Sequence, residues 1–339
     1  MLNEEELNEL GVSDWKILAK DFRGSDLLLG NGFSLNFTDR FDYKSLFKKF
    51  LAKCNPKHRH IFKSFETTNF EFILEKLSYA RDVNKIFGIK TSKIEDAIER
   101  LKDGLIKTIQ TIHPRAGDID KERLKRIATQ LDRFNDIFTL NYDLFLYHII
   151  MVLLDMHKAD ENVRPYSDYF WDRHSIQFLK FVDHQDYPQH KLLYYLHGAL
   201  FLFQESFDDI FKLRKADDSP ELVELIRKVI QEGRIPLFVS EGEHEQKMET
   251  ITQSYYLRFA LQKLQESEKS LVIFGTSFSN PDRHIVNAIN HNRNKRNLAV
   301  SIHVGAKSKE DVKSKIDRIK KKFPRHTVKF FKSETLFKF

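Results

Sequence analysis

Seven short apolar runs limit what this chain can fold into. They read DLLLG (26–30), DIFTLN (136–141), KLLYYLHG (191–198), IPLFVSEG (235–242), SLVIFGT (270–276), LAVSIHVG (298–305) and TVKFF (327–331). Several are continuously apolar rather than alternating, as strands covered on both faces are. Helical periodicity fills most of the intervals, over 44–53, 70–87, 92–112, 120–134, 144–157, 219–232, 250–267, 282–293 and 308–323. Strands alternating with helices predict an α/β protein with a mostly parallel sheet and helices on both faces. Residues 44–134 are almost wholly helical and too long for one crossover. The sequence therefore predicts an α/β core formed by 1–43 and 135–339, interrupted by a mainly helical insertion or cap.

The chain has 339 residues, 41% hydrophobic and 31% charged. That is enough length for a substantial core, and no low-complexity tract argues for disorder. No apolar run approaches the roughly 20 residues that cross a bilayer. The longest, LFLYHIIMVLLDM (144–156), contains His148 and predicts a buried helix, so no membrane contact is expected. The N-terminal MLNEEELNEL lacks the basic-then-apolar order of a secretion signal. A single cysteine, Cys54, excludes an internal disulfide and a multi-cysteine zinc site within the chain. A cytoplasmic protein is the expectation.

Charge does not point to nucleic acid. The formal net charge is +7, but residues 307–325 alone hold nine basic and three acidic residues, leaving the remainder close to neutral. Within that segment Val312, Ile316, Ile319 and Phe323 recur at spacings of three and four, the pattern of an amphipathic helix with a solvated lysine face. Aromatic residues interleaved for base stacking are missing, so direct nucleic-acid binding is not expected.

In a doubly wound sheet, ligands sit outside the carboxyl ends of the strands. Here those ends carry Gly30-Asn31-Gly32-Phe33-Ser34, Asn141-Tyr142-Asp143, His197-Gly198, Ser240-Glu241-Gly242 and Gly275-Thr276-Ser277. Five polar or glycine-bearing ends make a shared rim in a Rossmann-like fold. The chain has only 12 glycines, so the pair at Gly30 and Gly32 needs a reason. A dehydrogenase fingerprint would require glycine where Leu35 stands, and the Gly-Lys-Ser/Thr of a P-loop is absent. What remains is a Gly-x-Gly-x-Ser turn. It serves either as a tight turn or as a cradle whose N–H groups and Ser34 hold a pyrophosphate.

Asn141 and Asp143 lie two apart in an extended segment and so share one face, where an amide and a carboxylate can grip ribose hydroxyls. Asp143 also stands where it would cap the helix beginning at Leu144. His197 ends a buried strand, with Gly198 allowing close approach. Thr276 and Ser277 offer hydroxyls and N–H groups ahead of a helix near Pro281 and Asp282, which Ser279 or Asn280 would cap. Phe33 and Tyr142 flank these positions as packing residues or as walls of the site. His60, His113, His148 and His291 read as structural. VSEGEHEQK (239–247) places His244 among acidic residues at a spacing that fits no standard metal motif, and reads as a solvated loop at the far end of the ligand.

The ordered set Gly30-x-Gly32-x-Ser34, Thr139-x-Asn141-x-Asp143, His197-Gly198 and Gly275-Thr276-Ser277 resembles the NAD-binding core of the sirtuin superfamily. That family uses Gly-Ala-Gly-x-Ser, Thr-Gln-Asn-Ile-Asp, His-Gly and Gly-Thr-Ser in the same order. The resemblance spans about residues 26–305 and rests on the motifs, since most of the intervening sequence does not match. Classical sirtuin deacylases carry four zinc cysteines after the His-Gly pair. This chain has only Cys54, so no zinc is expected. LNFTDRFDY (35–43) replaces their Pro-Asp-Phe-Arg segment, and Arg40 and Asp42 are not matched to it. The chain is most similar to divergent, zinc-free sirtuin-like proteins of prokaryotes, several of which cleave NAD and act in defence against phage.

The resemblance implies an NAD glycohydrolase releasing nicotinamide and ADP-ribose, acting as a regulated antiphage effector with NAD as substrate. It implies catalytic roles for Asn141, on the nicotinamide ribose or the attacking water, and for His197 as proton acceptor. Gly30, Asn31, Gly32, Phe33, Ser34, Asp143, Gly275, Thr276 and Ser277 would bind the dinucleotide, with Asp143 on the carboxamide. Two alternatives remain open: an NAD-dependent deacylase or ADP-ribosyltransferase, and a non-catalytic nucleotide-binding scaffold. An unrestrained NAD hydrolase would be toxic, which leaves room for an activating protein partner. The 30 phenylalanines leave apolar surface for a homo-oligomer.

Overall fold

The apolar runs form strands because their residues are buried on both faces; all four positions of Asp26–Leu29 are inaccessible. A computed structural model of the protein describes residues 2–37, 47, 50–52, 54–67, 70–112, 119–158, 165–173, 175, 177–183, 189–215, 221–239, 243–291, 295–305 and 307–337. In chain order the strands are β1 (Val12–Ser13), β2 (Asp26–Leu29), β3 (Ile137–Thr139), β4 (Tyr166–Ser167), β5 (Phe170–Arg173), β6 (Phe178–Phe181) and β7 (Lys191–Tyr195). There follow β8 (Gly198–Gln204), β9 (Ile210–Leu213), β10 (Pro236–Phe238), β11 (Leu271–Phe274), β12 (Asn297–Ile302) and β13 (Thr327–Lys332).

Eight of them form one sheet in the order β1-β13-β12-β11-β2-β3-β7-β4. Among the described residues every pairing in it is parallel. The six central strands, taken in chain order, run 3-2-1-4-5-6, the arrangement of a Rossmann-like doubly wound fold. Register aligns the strand ends. Leu29 pairs with both Thr139 and Phe274, and Thr139 with Tyr195. The chain therefore leaves β2, β3, β7 and β11 at one level, so four of the five ends read as a rim from the sequence share a physical edge.

A second, antiparallel sheet has the order β10-β8-β9-β6-β5. IPLFVSEG was expected in the parallel sheet, but β10 pairs antiparallel with β8. The cause is Gly198. Its φ of +68° turns the chain out of β7 and straight into β8, and a Cβ there would lie 2.1 Å from the Leu237 carbonyl oxygen. Only Leu196 and His197 separate the two strands, so the run KLLYYLHG ends in one sheet and begins another.

Between β2 and β3 the described helices are Pro56–Ser64, Phe70–Ile86, Ser92–Ile112 and Lys121–Leu131. The last buries Leu124, Ile127, Ala128 and Leu131 and packs on Phe145–His157, forming part of the helical layer beside the sheet. The others are joined by an aromatic cluster in which Phe50 and Phe70 rings meet edge-on at 4.5 Å, with Phe47 and Phe62 around them. Among the described residues no helix is long and apolar enough to cross a membrane.

Candidate active site

A cavity of about 760 Å³ opens at the carboxyl ends of the parallel strands, and its floor is the place where β2 and β11 meet. This is the topological switch point, where connections leave in opposite directions and a crevice opens between them. Gly30 and Gly32 pack backbone to backbone against Gly275. A Cβ on Gly32 would lie 2.6 Å from the Gly275 Cα, and one on Gly30 2.9 Å from the Gly275 carbonyl oxygen. The N–H groups are committed to the same seam: Gly30 donates to Phe274 O at 2.8 Å and Gly32 to Gly275 O at 2.7 Å. Gly275 donates to Ser301 Oγ at 3.0 Å. The glycines thus give the site a floor of bare peptide. Their role as N–H donors to a pyrophosphate is corrected, because those donors are already used.

Gly30, Asn31, Gly32, Asn141, His197, Gly275, Thr276 and Ser277 line the cavity. Phe33, Ser34 and Asp143 do not, and lie behind its wall instead. Phe33 is fully buried, with its ring edge-on to Phe274 and Phe337. Ser34 donates to Asp143 Oδ2, while Asp143 Oδ1 accepts from Phe145 N–H at 2.9 Å and so caps the following helix. With both carboxylate oxygens engaged, Asp143 is a strut for the wall. Tyr142 packs against Phe238 at 5.1 Å and also reaches the cavity. The Thr276 hydroxyl accepts from Phe278 N–H at 3.2 Å, and Ser277 is exposed. Phe278, wholly buried, holds φ at +49°, a conformation that bulky residues rarely adopt.

The strut holds Asn141, which is 3% exposed. Its Nδ2 donates to Gly30 O and to Ser34 Oγ, each at 3.0 Å. With both amide hydrogens committed, Oδ1 is left buried without a hydrogen-bond partner among the described residues. Such an orphaned acceptor is costly, and it marks a place that a donor would complete.

His197 reaches the cavity from the link between the two sheets. Its Nε2 lies 2.8 Å from His284 Nε2, and its imidazole also bonds the Leu140 carbonyl. The carbonyl can only accept, so His197 presents Nδ1–H to it and Nε2 accepts from His284. Burial pushes the His197 pKa well below 6.5, reinforced by the nearby Lys247 and His284. Burial also lowers that of His284, to about 4, against the opposing pull of Asp282. Both imidazoles are neutral near pH 7.

Sequence reasoning missed His284, Lys247, Asp282 and Lys315. The Lys247 ammonium pairs with Asp282 at 2.7 Å, and both line the cavity. The signal for His284 was its place in the first turn of the helix that follows the Gly-Thr-Ser rim. Tertiary structure alone brings Lys247 and Lys315 there. His244 was read as part of a solvated loop at the far end of the ligand. It instead begins the helix His244–Thr252, and its ring stacks on His284 at 5.7 Å, on the His197 side. Ser240, Glu241 and Gly242, like Arg40, Asp42 and His113, lie outside the described residues. Among the described residues no group of three or more His, Cys, Asp or Glu is arranged to hold a metal ion.

Fold and site together define a Rossmann-like α/β protein with a buried amide and a neutral imidazole pair at its switch point. Residues 27–337 match the family described as Domain of unknown function (DUF4917), and the chain belongs to that family. No match was found among curated proteins.

Proposed function

We propose that the protein hydrolyses NAD at the nicotinamide–ribose bond, yielding nicotinamide, ADP-ribose and a proton. The observation that carries this reading is the convergence of Asn141, with its unpartnered buried Oδ1, and His197 beside a side-chain-free floor at the switch point. The floor admits the diphosphate of a dinucleotide close to the backbone, as a glycine seam permits. Asn141 Oδ1 accepts from a ribose hydroxyl or from the attacking water, and its dipole faces the positive charge that grows on the sugar as the C1′–N bond breaks. Water supplies the new C1′–O bond, and nicotinamide leaves with the bonding pair. His197 takes the proton after a substrate hydroxyl or water has exchanged with His284 at Nε2. Its low pKa keeps it unprotonated, the form a base must have.

A bare nucleotide-binding scaffold has no use for an imidazole pair at this place, which favours turnover. The reading extends to a restrained effector of antiphage defence, switched on by an activating protein partner or by self-association. Incubation of the purified protein with NAD, with nicotinamide and ADP-ribose measured, tests the reaction. His197→Ala is expected to lose about 10²–10⁴-fold in turnover with folding intact, and Asn141→Ala to lose most activity. Release indifferent to both substitutions would overturn the proposal, and release that requires an acylated peptide would replace it with deacylation.

A further inference from the structure

The cavity continues past the glycine seam, away from His197. Strand order fixes the sequence of its parts: His197 follows β7, Asn141 follows β3, the seam joins β2 to β11, and Ser301 belongs to β12. From β7 to β12 is four inter-strand spacings, roughly 19 Å at about 4.8 Å each. With the reacting ribose beside Asn141 and the diphosphate over the seam, the second ribose falls beside β12 and β13. There the lining changes character. Lys315 lines the cavity from the helix Lys309–Lys322, as do Ser301 at the end of β12 and Ser333 just after β13.

Among the described residues Lys315 has no ion pair or hydrogen bond, unlike the cavity's other lysine, Lys247, which Asp282 neutralises. Ser301 Oγ accepts from Gly275 N–H at 3.0 Å and retains its own proton to donate. Glu334, which follows Ser333, is paired with His303 at 2.7 Å, and Asp311, one turn before Lys315 on its helix, is engaged by Ser308. Burial together with the neighbouring Lys307 and Arg318 lowers the Lys315 pKa to about 8, so the ammonium is charged at neutral pH under repulsion that an anion would relieve.

We infer that this end of the cavity is a subsite for a phosphate carried on the distal ribose, so that the phosphorylated dinucleotide NADP, rather than NAD, is the preferred substrate. Doubly wound folds discriminate the two dinucleotides at this ribose, where an acidic residue suits a free hydroxyl and a cation suits a phosphate. A half-buried lysine and a hydroxyl donor lining the same cavity supply the second arrangement. This inference rests on the dinucleotide reading above, and its test separates the two.

Binding of ADP-ribose and of its 2′-phosphate is measured calorimetrically at pH 7 on the intact protein, without reliance on turnover. The 2′-phosphate is expected to tighten binding about tenfold or more, the worth of one charge-assisted hydrogen bond. Lys315→Met, which keeps the aliphatic stem and relieves the repulsion, is expected to abolish that gain while leaving ADP-ribose affinity unchanged and the melting temperature no lower. Lys315→Arg is expected to restore it. ADP-ribose binding with no gain from the phosphate would overturn this inference alone. Equal weakening of both ligands in Lys315→Met would also overturn it, assigning the lysine to the diphosphate. Failure of both ligands to bind would overturn the dinucleotide reading and this one with it.

Discussion

Gly32 shows how one residue fixes the site. Its missing side chain makes room for another stretch of backbone, the turn at Gly275, whose own φ is +75°. Gly32→Ala would drive a methyl to 2.6 Å from the Gly275 Cα, where no rotamer change helps. The expected cost is about 3 kcal/mol, the upper range for overpacking, read as a lowered denaturant midpoint together with loss of the proposed NAD turnover. The sequence posed the choice between a tight turn and close approach. The answer, close approach of protein to protein, depends on which strands are neighbours, and local pattern does not carry that. Asn141 was legible as a rim residue because it ends a buried run on the same face as Asp143 without Asp143's helix to cap. The orphaned state of its oxygen was not, since it arises from Gly30 and Ser34 taking both amide hydrogens.

At the scale of elements, the parallel strands were legible because continuous apolar runs have few alternatives. The antiparallel sheet was not. GALFLFQ follows LHG without a break in hydrophobicity, and only the positive φ at Gly198 divides them. Most of the helix His244–Thr252 falls in and just after the stretch read as a loop, whereas the helix Arg283–His291 was seen as a periodic segment, and the packing of the two was not foreseen. The Lys247–Asp282 pair ties the first to the turn that starts the second, and its ammonium lowers the pKa of both His197 and His284. Replacing the ammonium in Lys247→Met removes that effect and frees Asp282 to favour the protonated imidazole. The acid limb of the pH–rate profile for the proposed hydrolysis is therefore expected to move toward neutrality, because that activity would fall as pH drops through the pKa of His197, its proposed base. A limb that stays in place would show that His197 does not titrate in the rate-limiting step.

Across the whole molecule, one continuous hydrophobic core joins both sheets and the helical segment that follows β2. Protonation is coupled to its stability. The buried histidines His197 and His284 bind protons less readily when folded, as do His148 and His326. Between pH 6.5 and about 4, the range set by His284, the unfolded chain takes up protons that the fold refuses. Stability is therefore full above pH 6.5 and falls as the solution is acidified. Thermal melts from pH 7.5 to 5 are expected to show that decline, with a shallower slope in His284→Asn. The glycine seam bears on how such a sequence can drift. Because the obstruction at position 32 would be main chain against main chain, no compensating change in a neighbouring side chain relieves it. Revertants of Gly32→Ala selected for function are expected to restore glycine itself.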